Sequence, residues 1–128
     1  MRGDQARHNL DPLIGVIMKK ILVVDDEHLL GRLITRSLTN KGYEAKYIPS
    51  AVIAIDMELD EFDLVLTDYS MPEINGSRFC ELANQFFPKL PIIMMTGSDV
   101  ELDLPNIKHI INKPFEMDNM LKLINDVI

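Results

Sequence analysis

A short apolar run near the start of the chain constrains the fold more than any other feature. Residues 21–24 read Ile-Leu-Val-Val, and three acidic residues follow at once. An unbroken apolar run of this length is typical of a strand that is buried on both faces of a parallel sheet. Similar runs recur along the chain, separated by helical patterns. The predicted strands are residues 21–24, 43–48, 63–67, 91–95 and 107–112.

Helical spacing of apolar residues occupies the stretches between these runs. The predicted helices are residues 28–40, a segment that follows the capping Ser50 and reaches Leu59, residues 77–87, and a last segment that starts near Pro114. Strands that alternate with helices in this way form a parallel sheet that is covered on both faces. The sequence therefore predicts a single α/β domain.

Composition narrows the class of protein. A chain of 128 residues that is 47% hydrophobic can bury one core, and a net charge of −7 offers no platform for nucleic-acid phosphates. The lone cysteine, Cys80, excludes an internal disulfide, and His8, His28 and His109 form no ligand pair, so we interpret all four as structural or exposed. No apolar stretch is long enough to cross a bilayer. We expect a cytoplasmic protein without nucleic-acid or membrane partners.

Polar residues are concentrated where the predicted strands end. Asp25 and Asp26 follow the first strand, Asp68 the third, Thr96 the fourth and Lys113 the fifth. In open α/β sheets the carboxyl ends of the strands border the ligand site. Carboxylates that meet there repel one another unless a cation offsets their charge, and oxygen ligands suit Mg²⁺. With a lysine and a hydroxyl nearby, this set favours phosphoryl transfer to a carboxylate.

The ordered motifs of the chain resemble those of a known family. They are residues 21–27 (ILVVDDE), residues 68–72 (DYSMP) with Gly76, residues 95–97 (MTG) and residues 113–115 (KPF). This set is similar to the response-regulator receiver domains, the CheY-like family of two-component signal transduction, over residues 19–128. The resemblance implies a flavodoxin-like (βα)5 fold, a doubly wound five-stranded parallel sheet with strand order 2-1-3-4-5. It also implies that residues 18–128 are the receiver domain and residues 1–17 an N-terminal tail or extension.

The resemblance assigns a role to each acidic residue of the site. Asp68 matches the aspartate that is phosphorylated. Asp25 and Asp26 match the acid pair that, together with Asp68, holds Mg²⁺ or Mn²⁺. Ser70 matches the position whose backbone carbonyl completes the metal shell. The protein would thus be a metal-dependent phosphoacceptor that catalyses only its own phosphorylation and dephosphorylation, and no reaction on other substrates.

The remaining site residues and the partners are implied in the same way. Thr96 matches the hydroxyl residue that turns towards the phosphoryl group, and Lys113 matches the lysine that pairs with it. The bond between Lys113 and Pro114 is expected to be cis. The phosphoryl donor would be a sensor histidine kinase or a histidine phosphotransfer protein, and the phosphorelay would continue to a downstream output protein or domain. The chain could act alone or within a larger regulator.

Two features depart from the family pattern. Ile110 occupies the place of an aromatic residue that usually changes orientation with phosphorylation, and His109 beside it should point to the other face of the strand. The stretch from Thr96 to Lys113 is also shorter than usual, so the fourth helix of the fold should be shortened or missing. The output surface that this helix normally forms with the fifth strand and fifth helix therefore cannot be assumed for this chain.

Three other functions compete with this one. The altered switch leaves open a degenerate receiver that acts as a phosphorylation-independent protein-binding module. A phosphohydrolase of haloacid-dehalogenase type would carry an Asp-x-Asp motif after the first strand, where this chain has adjacent aspartates at 25 and 26. A flavin-binding protein would need a phosphate-binding loop at the same place. The phosphoacceptor receiver explains all the polar strand ends and is the leading hypothesis.

Overall fold

A computed structural model describes residues 18–128, in which one sheet of five parallel strands forms the centre. The strands are β1 Lys20–Val24, β2 Glu44–Ile48, β3 Leu64–Asp68, β4 Ile92–Thr96 and β5 Ile107–Asn112. Their order in the sheet is β2-β1-β3-β4-β5, and all four neighbouring pairs are parallel. The predicted fold class and strand order are confirmed. The predicted tail at 1–17 lies outside the described residues.

Helices cover both faces of the sheet and divide the interior into two cores. The helices of the described chain are α1 His28–Asn40, α2 Ala51–Ile55, α3 Gly76–Phe86 and α4 Met117–Val127. In β1, Ile21 and Val23 belong to the core under α1 and α4, whereas Leu22 and Val24 belong to the core under α2 and α3. Successive side chains of a strand point to opposite faces, so the unbroken apolar run supplies both cores.

Two predicted helix boundaries were wrong. The second helix was expected to reach Leu59, but α2 ends at Ile55, and Leu59 is buried at the start of a separate 3-10 turn, Leu59–Glu61. The N–H groups of Asp56 and Met57 donate to carbonyl oxygens three residues earlier in the chain rather than four. These tighter turns end the helix.

The last helix was expected to start near Pro114, but α4 starts at Met117. Glu116 has an extended backbone, with φ −90° and ψ 141°, so the helical turn cannot include the residues before it. The predicted cis bond between Lys113 and Pro114 is confirmed. Lys113 and Pro114 thus belong to the loop that joins β5 to α4.

Between β4 and β5 the described chain contains no helix, which confirms the prediction of a shortened or missing fourth helix. Residues 97–106 form an irregular loop instead. Leu102 and Leu104 of this loop pack on the core under α2 and α3, as does Ile110 of β5. Asn106 is 2% exposed, and its side-chain N–H donates to the Cys80 carbonyl oxygen of α3 over 3.0 Å. The loop thus covers the sheet where a helix would otherwise lie.

Candidate functional site

The strand order brings the predicted acidic residues together at one edge of the sheet. β1 and β3 are neighbours, so Asp25 and Asp26 after β1 lie beside Asp68 at the end of β3. One carboxylate oxygen from each of the three residues lies within 4.8 Å of the other two. This cluster stands at the carboxyl edge of a parallel sheet, where ligand sites of such folds form.

Asp25 is completely buried, and the backbone around it is well bonded. Its Oδ1 accepts a hydrogen bond from the Glu27 backbone N–H over 2.8 Å, and its own N–H donates to the Ile48 carbonyl oxygen over 3.2 Å. Burial raises the pKa of the Asp25 carboxyl, and the bonds from Glu27 N–H and Lys113 oppose that rise. A second positive charge near Asp25 would therefore stabilise its ionised form.

Lys113 is the cation that the protein itself supplies to the cluster. Its Nζ lies 3.0 Å from Asp68 Oδ1, 3.1 Å from Asp25 Oδ2 and 2.7 Å from Glu27 Oε1, and its side chain is only 15% exposed. Burial lowers the pKa of Lys113, but its bonds to the three carboxylates outweigh burial and raise the pKa overall. The Lys113 backbone N–H donates to the Thr96 carbonyl oxygen over 2.7 Å, which fixes the backbone from which the lysine side chain extends.

Asp68, the predicted phosphoryl acceptor, is almost completely buried. It ends β3, is 5% exposed, and pairs with Lys113. Burial raises the pKa of its carboxyl; the hydrogen bond from Lys113 lowers it, and the nearby charge of Asp25 raises it. One oxygen is engaged by the lysine, and the carboxylate is close enough to Asp25 and Asp26 to share a metal ion with them.

Thr96 ends β4 and Ser70 lies two residues beyond β3, so both are at the same carboxyl edge of the sheet as the cluster. The Thr96 hydroxyl donates to the Ser98 carbonyl oxygen over 3.0 Å and accepts from the Ser98 N–H over 3.1 Å, so it is turned towards its own loop. Ser70 follows β3 and is exposed. No hydrogen bond from residues 18–128 reaches its backbone carbonyl oxygen, which leaves that oxygen free to accept a further partner.

The loop after Asp68 is held tightly against the strand. Gly76 N–H donates to the Tyr69 carbonyl oxygen over 2.7 Å, and a Cβ on Gly76 would overlap the Asp68 carbonyl. A glycine is therefore required for this close approach. Within the loop, Glu73 has a φ of 69°, and Ile74 N–H donates to the Pro72 carbonyl oxygen over 2.8 Å. Pro72 and Gly76 therefore shape the loop that follows Asp68.

Two residues at the site are not evident from the sequence. In the sequence, Glu27 is only one member of the acidic motif. In the structure, its carboxylate makes the shortest ionic contact of Lys113. Tyr47 of β2 donates its hydroxyl to the Asp25 carbonyl oxygen over 2.6 Å. Burial, followed by the charge of Asp25, raises the pKa of Tyr47, so the phenol stays protonated and remains a donor. Only the pairing of β2 with β1 brings this tyrosine to the site.

The donor atoms fit a hard divalent cation. All three carboxylates supply oxygen, and the Ser70 carbonyl oxygen two residues after Asp68 accepts no hydrogen bond from residues 18–128. Mg²⁺ and Mn²⁺ prefer oxygen ligands and commonly keep several waters, so a partly open acidic cluster suits them. Asp25, Asp26 and Asp68 are the residues that would hold such an ion, and Ser70 stays a predicted further ligand.

A doubly wound α/β domain with a carboxylate cluster and a lysine at its carboxyl edge defines the structural class. The family model of the response regulator receiver domain matches residues 21–125. That match spans most of the chain, and the chain belongs to this family of two-component signalling domains. Among the described residues, no helix is long and apolar enough to cross a membrane.

The curated relatives include short and long proteins. The response regulator receiver protein CpdR of Brucella abortus is 26% identical over 117 residues, which are 87% of this chain and 98% of CpdR. The regulatory protein VanR of Enterococcus faecium is 35% identical over 85 residues, which are 66% of this chain but only 36% of VanR. The chain thus spans nearly all of one relative and about a third of another.

Solved structures agree with the fold. The response regulator protein TrrA of Thermotoga maritima, in complex with Mg(2+)-BeF, has a TM-score of 0.80 and 26% identity, and the alignment covers 87% of this chain and all of TrrA. A CheY-like receiver domain protein of Methanospirillum hungatei has a TM-score of 0.74 and 26% identity, with 86% of this chain and 93% of that protein covered.

Proposed function

We propose that this receiver domain accepts a phosphoryl group on Asp68 from a phosphohistidine donor in a reaction that depends on Mg²⁺. The observation that carries the proposal is the environment of one carboxylate. Asp68 lies beside two other aspartates within 4.8 Å and pairs with Lys113 over 3.0 Å. This arrangement supplies a nucleophile, a set of metal ligands and a fixed cation in one pocket.

The residues of the pocket divide the work of phosphoryl transfer. An Asp68 oxygen attacks phosphorus, the bond from phosphorus to the donor imidazole breaks, and the imidazole leaves with that electron pair. A bound Mg²⁺ would neutralise charge on the phosphoryl oxygens. Lys113 already contacts Asp68, so it can keep its charge beside the new acyl phosphate.

Thr96 would complete the phosphorylated state. Its hydroxyl bonds within its own loop, to Ser98, and this bond can be exchanged for one to a phosphoryl oxygen by rotation about χ1. The movement would release the Ser98 end of the loop that covers β4 and β5. We propose that this loop, together with β5, is where phosphorylation alters contacts with an output protein or domain.

The proposed partners follow from the family. A sensor histidine kinase or a histidine phosphotransfer protein would supply the phosphoryl group. Relatives such as the alkaline phosphatase synthesis transcriptional regulatory protein PhoP of Bacillus subtilis are longer than this chain, which covers 36% of PhoP. The output partner of the present domain is therefore proposed to be a further domain or a separate protein. We propose no catalysis beyond the domain's own phosphorylation and dephosphorylation.

Intact-protein mass spectrometry tests the acceptor chemistry. The protein is incubated with acetyl phosphate and Mg²⁺, with an excess of chelator in a parallel sample, and Asp68→Asn is compared with Asp60→Asn. Asp60 is an exposed aspartate in the 3-10 turn before β3, at the opposite end of that strand from Asp68. We expect one labile phosphoryl adduct on the wild type and on Asp60→Asn, and none on Asp68→Asn or without metal.

The alternative of a phosphorylation-independent binding module makes the opposite prediction. Because some receivers accept only from a protein donor, the same samples are also offered a phosphorylated histidine phosphotransfer domain. If neither donor labels the wild type, the phosphoacceptor proposal is wrong and the binding module takes its place. Labelling that persists in Asp68→Asn would instead assign the acceptor to another residue.

A further inference from the structure

We infer that Tyr47 is a positioning residue of the metal site, whose hydroxyl holds the turn between Asp25 and Asp26 in the arrangement that receives the divalent cation. The inference rests on the proposed function, because it concerns the same acidic cluster. Tyr47 lies in β2 and is not one of the three carboxylate residues of the cluster, so its role would be to orient them.

Strand β2 holds Asp25 from two sides. Asp25 N–H donates to the Ile48 carbonyl oxygen over 3.2 Å, which continues the pairing of the strands by one residue beyond β1. The Asp25 carbonyl oxygen then turns away from a regular ladder and accepts the Tyr47 hydroxyl over 2.6 Å. A side chain thus replaces the backbone donor at the point where the chain leaves the sheet.

The bond from Tyr47 fixes more than one carbonyl group. The Asp25 carbonyl and the Asp26 N–H belong to the same peptide plane, which is rigid. Holding that oxygen therefore sets the direction in which Asp26 leaves the strand. Asp26 has no side-chain hydrogen bond to the described residues, whereas Asp25 is held by Glu27 N–H and Lys113. The orientation of Asp26 consequently depends on the backbone that Tyr47 fixes.

Helix α1 is shaped to admit the tyrosine ring. Gly31 is buried in α1, and a Cβ at this position would overlap the Tyr47 ring. His28, one turn earlier, meets the ring edge-on, with centroids 6.0 Å apart and an interplanar angle of 77°. Glycine inside a helix is unfavourable compared with alanine, so its presence here is accounted for by the space that the ring needs. From its place beside Gly31, the ring brings its hydroxyl to the Asp25 carbonyl oxygen.

Binding of Mn²⁺ alone tests the inference without relying on phosphorylation. Free Mn²⁺ is measured by its electron paramagnetic resonance signal during titration of wild type, Tyr47→Phe, Tyr43→Phe and Asp68→Asn. Tyr43→Phe is the matched control, since it also removes a phenol from the β2 region but has no side-chain hydrogen bond to residues 18–128. Residues that orient metal ligands typically contribute about 10- to 100-fold to metal affinity. We expect a loss of about tenfold for Tyr47→Phe and no change for Tyr43→Phe.

Gly31→Ala gives a second and independent route to the same bond. The added methyl group should push the ring out of its slot and weaken Mn²⁺ binding although the hydroxyl is still present. In the double variant with Tyr47→Phe, the affinity should be no lower than in Tyr47→Phe alone, because both changes remove the same hydrogen bond. Additive losses would overturn the inference, since they would place the effect of Gly31 elsewhere.

The outcomes separate this inference from the proposed function. If wild type binds Mn²⁺ and loses it in Asp68→Asn, but Tyr47→Phe binds as tightly as wild type, the positioning role is wrong and the acceptor site stands. If wild type shows no Asp68-dependent Mn²⁺ binding, the proposed function itself fails. Urea unfolding of each metal-free variant identifies a purely structural role, which would lower stability and leave the affinity of the folded protein unchanged.

Discussion

Replacing Lys113 by Met should expose how much the acidic cluster depends on a single cation. The methionine keeps much of the aliphatic stem but removes the Nζ that lies 3.0 Å from Asp68 and 3.1 Å from Asp25. Removing one partner of a buried ion pair typically costs about 3–5 kcal/mol, whereas an exposed pair such as that with Glu27 contributes about 0–1 kcal/mol. Because Asp25 keeps its bond from Glu27 N–H, we expect the lower end, about 3 kcal/mol.

The assay is urea unfolding at a series of pH values, in the presence of chelator. Burial already raises the pKa of Asp25 and Asp68 above the values of the unfolded chain, and loss of Lys113 should raise both pKa values further. A carboxyl with a raised folded-state pKa stabilises the folded state most below its unfolded pKa, and this stabilisation is lost as pH rises through the folded pKa. The deficit of Lys113→Met should therefore be largest near neutral pH and shrink as the solution is acidified towards the ordinary range of aspartate.

A charge-matched second variant sharpens this test. Asp68→Asn removes one of the carboxylates that Lys113→Met leaves uncompensated, so the double variant should recover a substantial part of the lost stability. Added Mg²⁺ should likewise stabilise Lys113→Met more than wild type, since the ion replaces a missing positive charge. A deficit below about 1 kcal/mol with no recovery in the double variant would show that Lys113 does not contact the buried carboxylates in solution.

Three further predictions concern residues outside the acidic cluster and its lysine. Burial, with a smaller contribution from Glu81, raises the pKa of the Cys80 thiol to about 12. Iodoacetamide should therefore leave the native protein unlabelled near neutral pH and label it only in urea. Rapid labelling of the native protein would contradict the buried position of the thiol. Asn106→Ala removes the 3.0 Å bond to the Cys80 carbonyl and should lower the free energy of unfolding by about 1–2 kcal/mol in urea titrations; an unchanged midpoint and slope would contradict it. Glu73 has a φ of 69°, which a β-branched side chain tolerates poorly and glycine tolerates well. In thermal unfolding, Glu73→Val should lower the free energy of unfolding by about 1–2 kcal/mol, and Glu73→Gly by less than 1 kcal/mol or not at all. Equal losses in the two variants would contradict backbone strain at this position.

The fold could be predicted from the sequence because strands that are buried on both faces of a parallel sheet have a distinctive apolar pattern. Residues 21–24 and 92–95 are buried on both faces, and short β-branched apolar runs bounded by polar residues fit a central parallel strand better than an amphipathic helix. The helix ends were less predictable because they depend on local competition between hydrogen bonds. Leu59 has the right spacing for a helix, yet i to i+3 bonds end α2 before it, and spacing alone carries no information about that competition.

The acidic site was predictable for a geometric reason: parallel strands bring their carboxyl ends to one edge, so residues after successive strands meet there. Contacts among side chains from distant segments were not. Glu27 and Lys113 are 86 residues apart, and their 2.7 Å contact depends on rotamers at both ends. The contact between Gly31 and the Tyr47 ring could not be predicted either. The sequence shows a glycine within a helix but does not show which side chain occupies the space beside it.

The loop at residues 97–106 gives this domain a local weak point. No backbone N–H from Asp99 to Asn106 donates a hydrogen bond to a described residue, so the loop lacks the internal ladder that a helix would have. It is held by Leu102, Leu104 and the side chain of Asn106, and near its end by the bonds that the Leu104 and Asn106 carbonyl oxygens accept from the backbone N–H groups of Ile107 and Ile92. Segments of this kind open with a small free energy, and their amides exchange with solvent long before those of the central strands. The part of the α2/α3 face that this loop covers beside β4 and β5 can therefore be uncovered by a fluctuation that leaves β1, β3 and the acidic cluster intact, so a binding partner could gain access there without unfolding the centre of the domain.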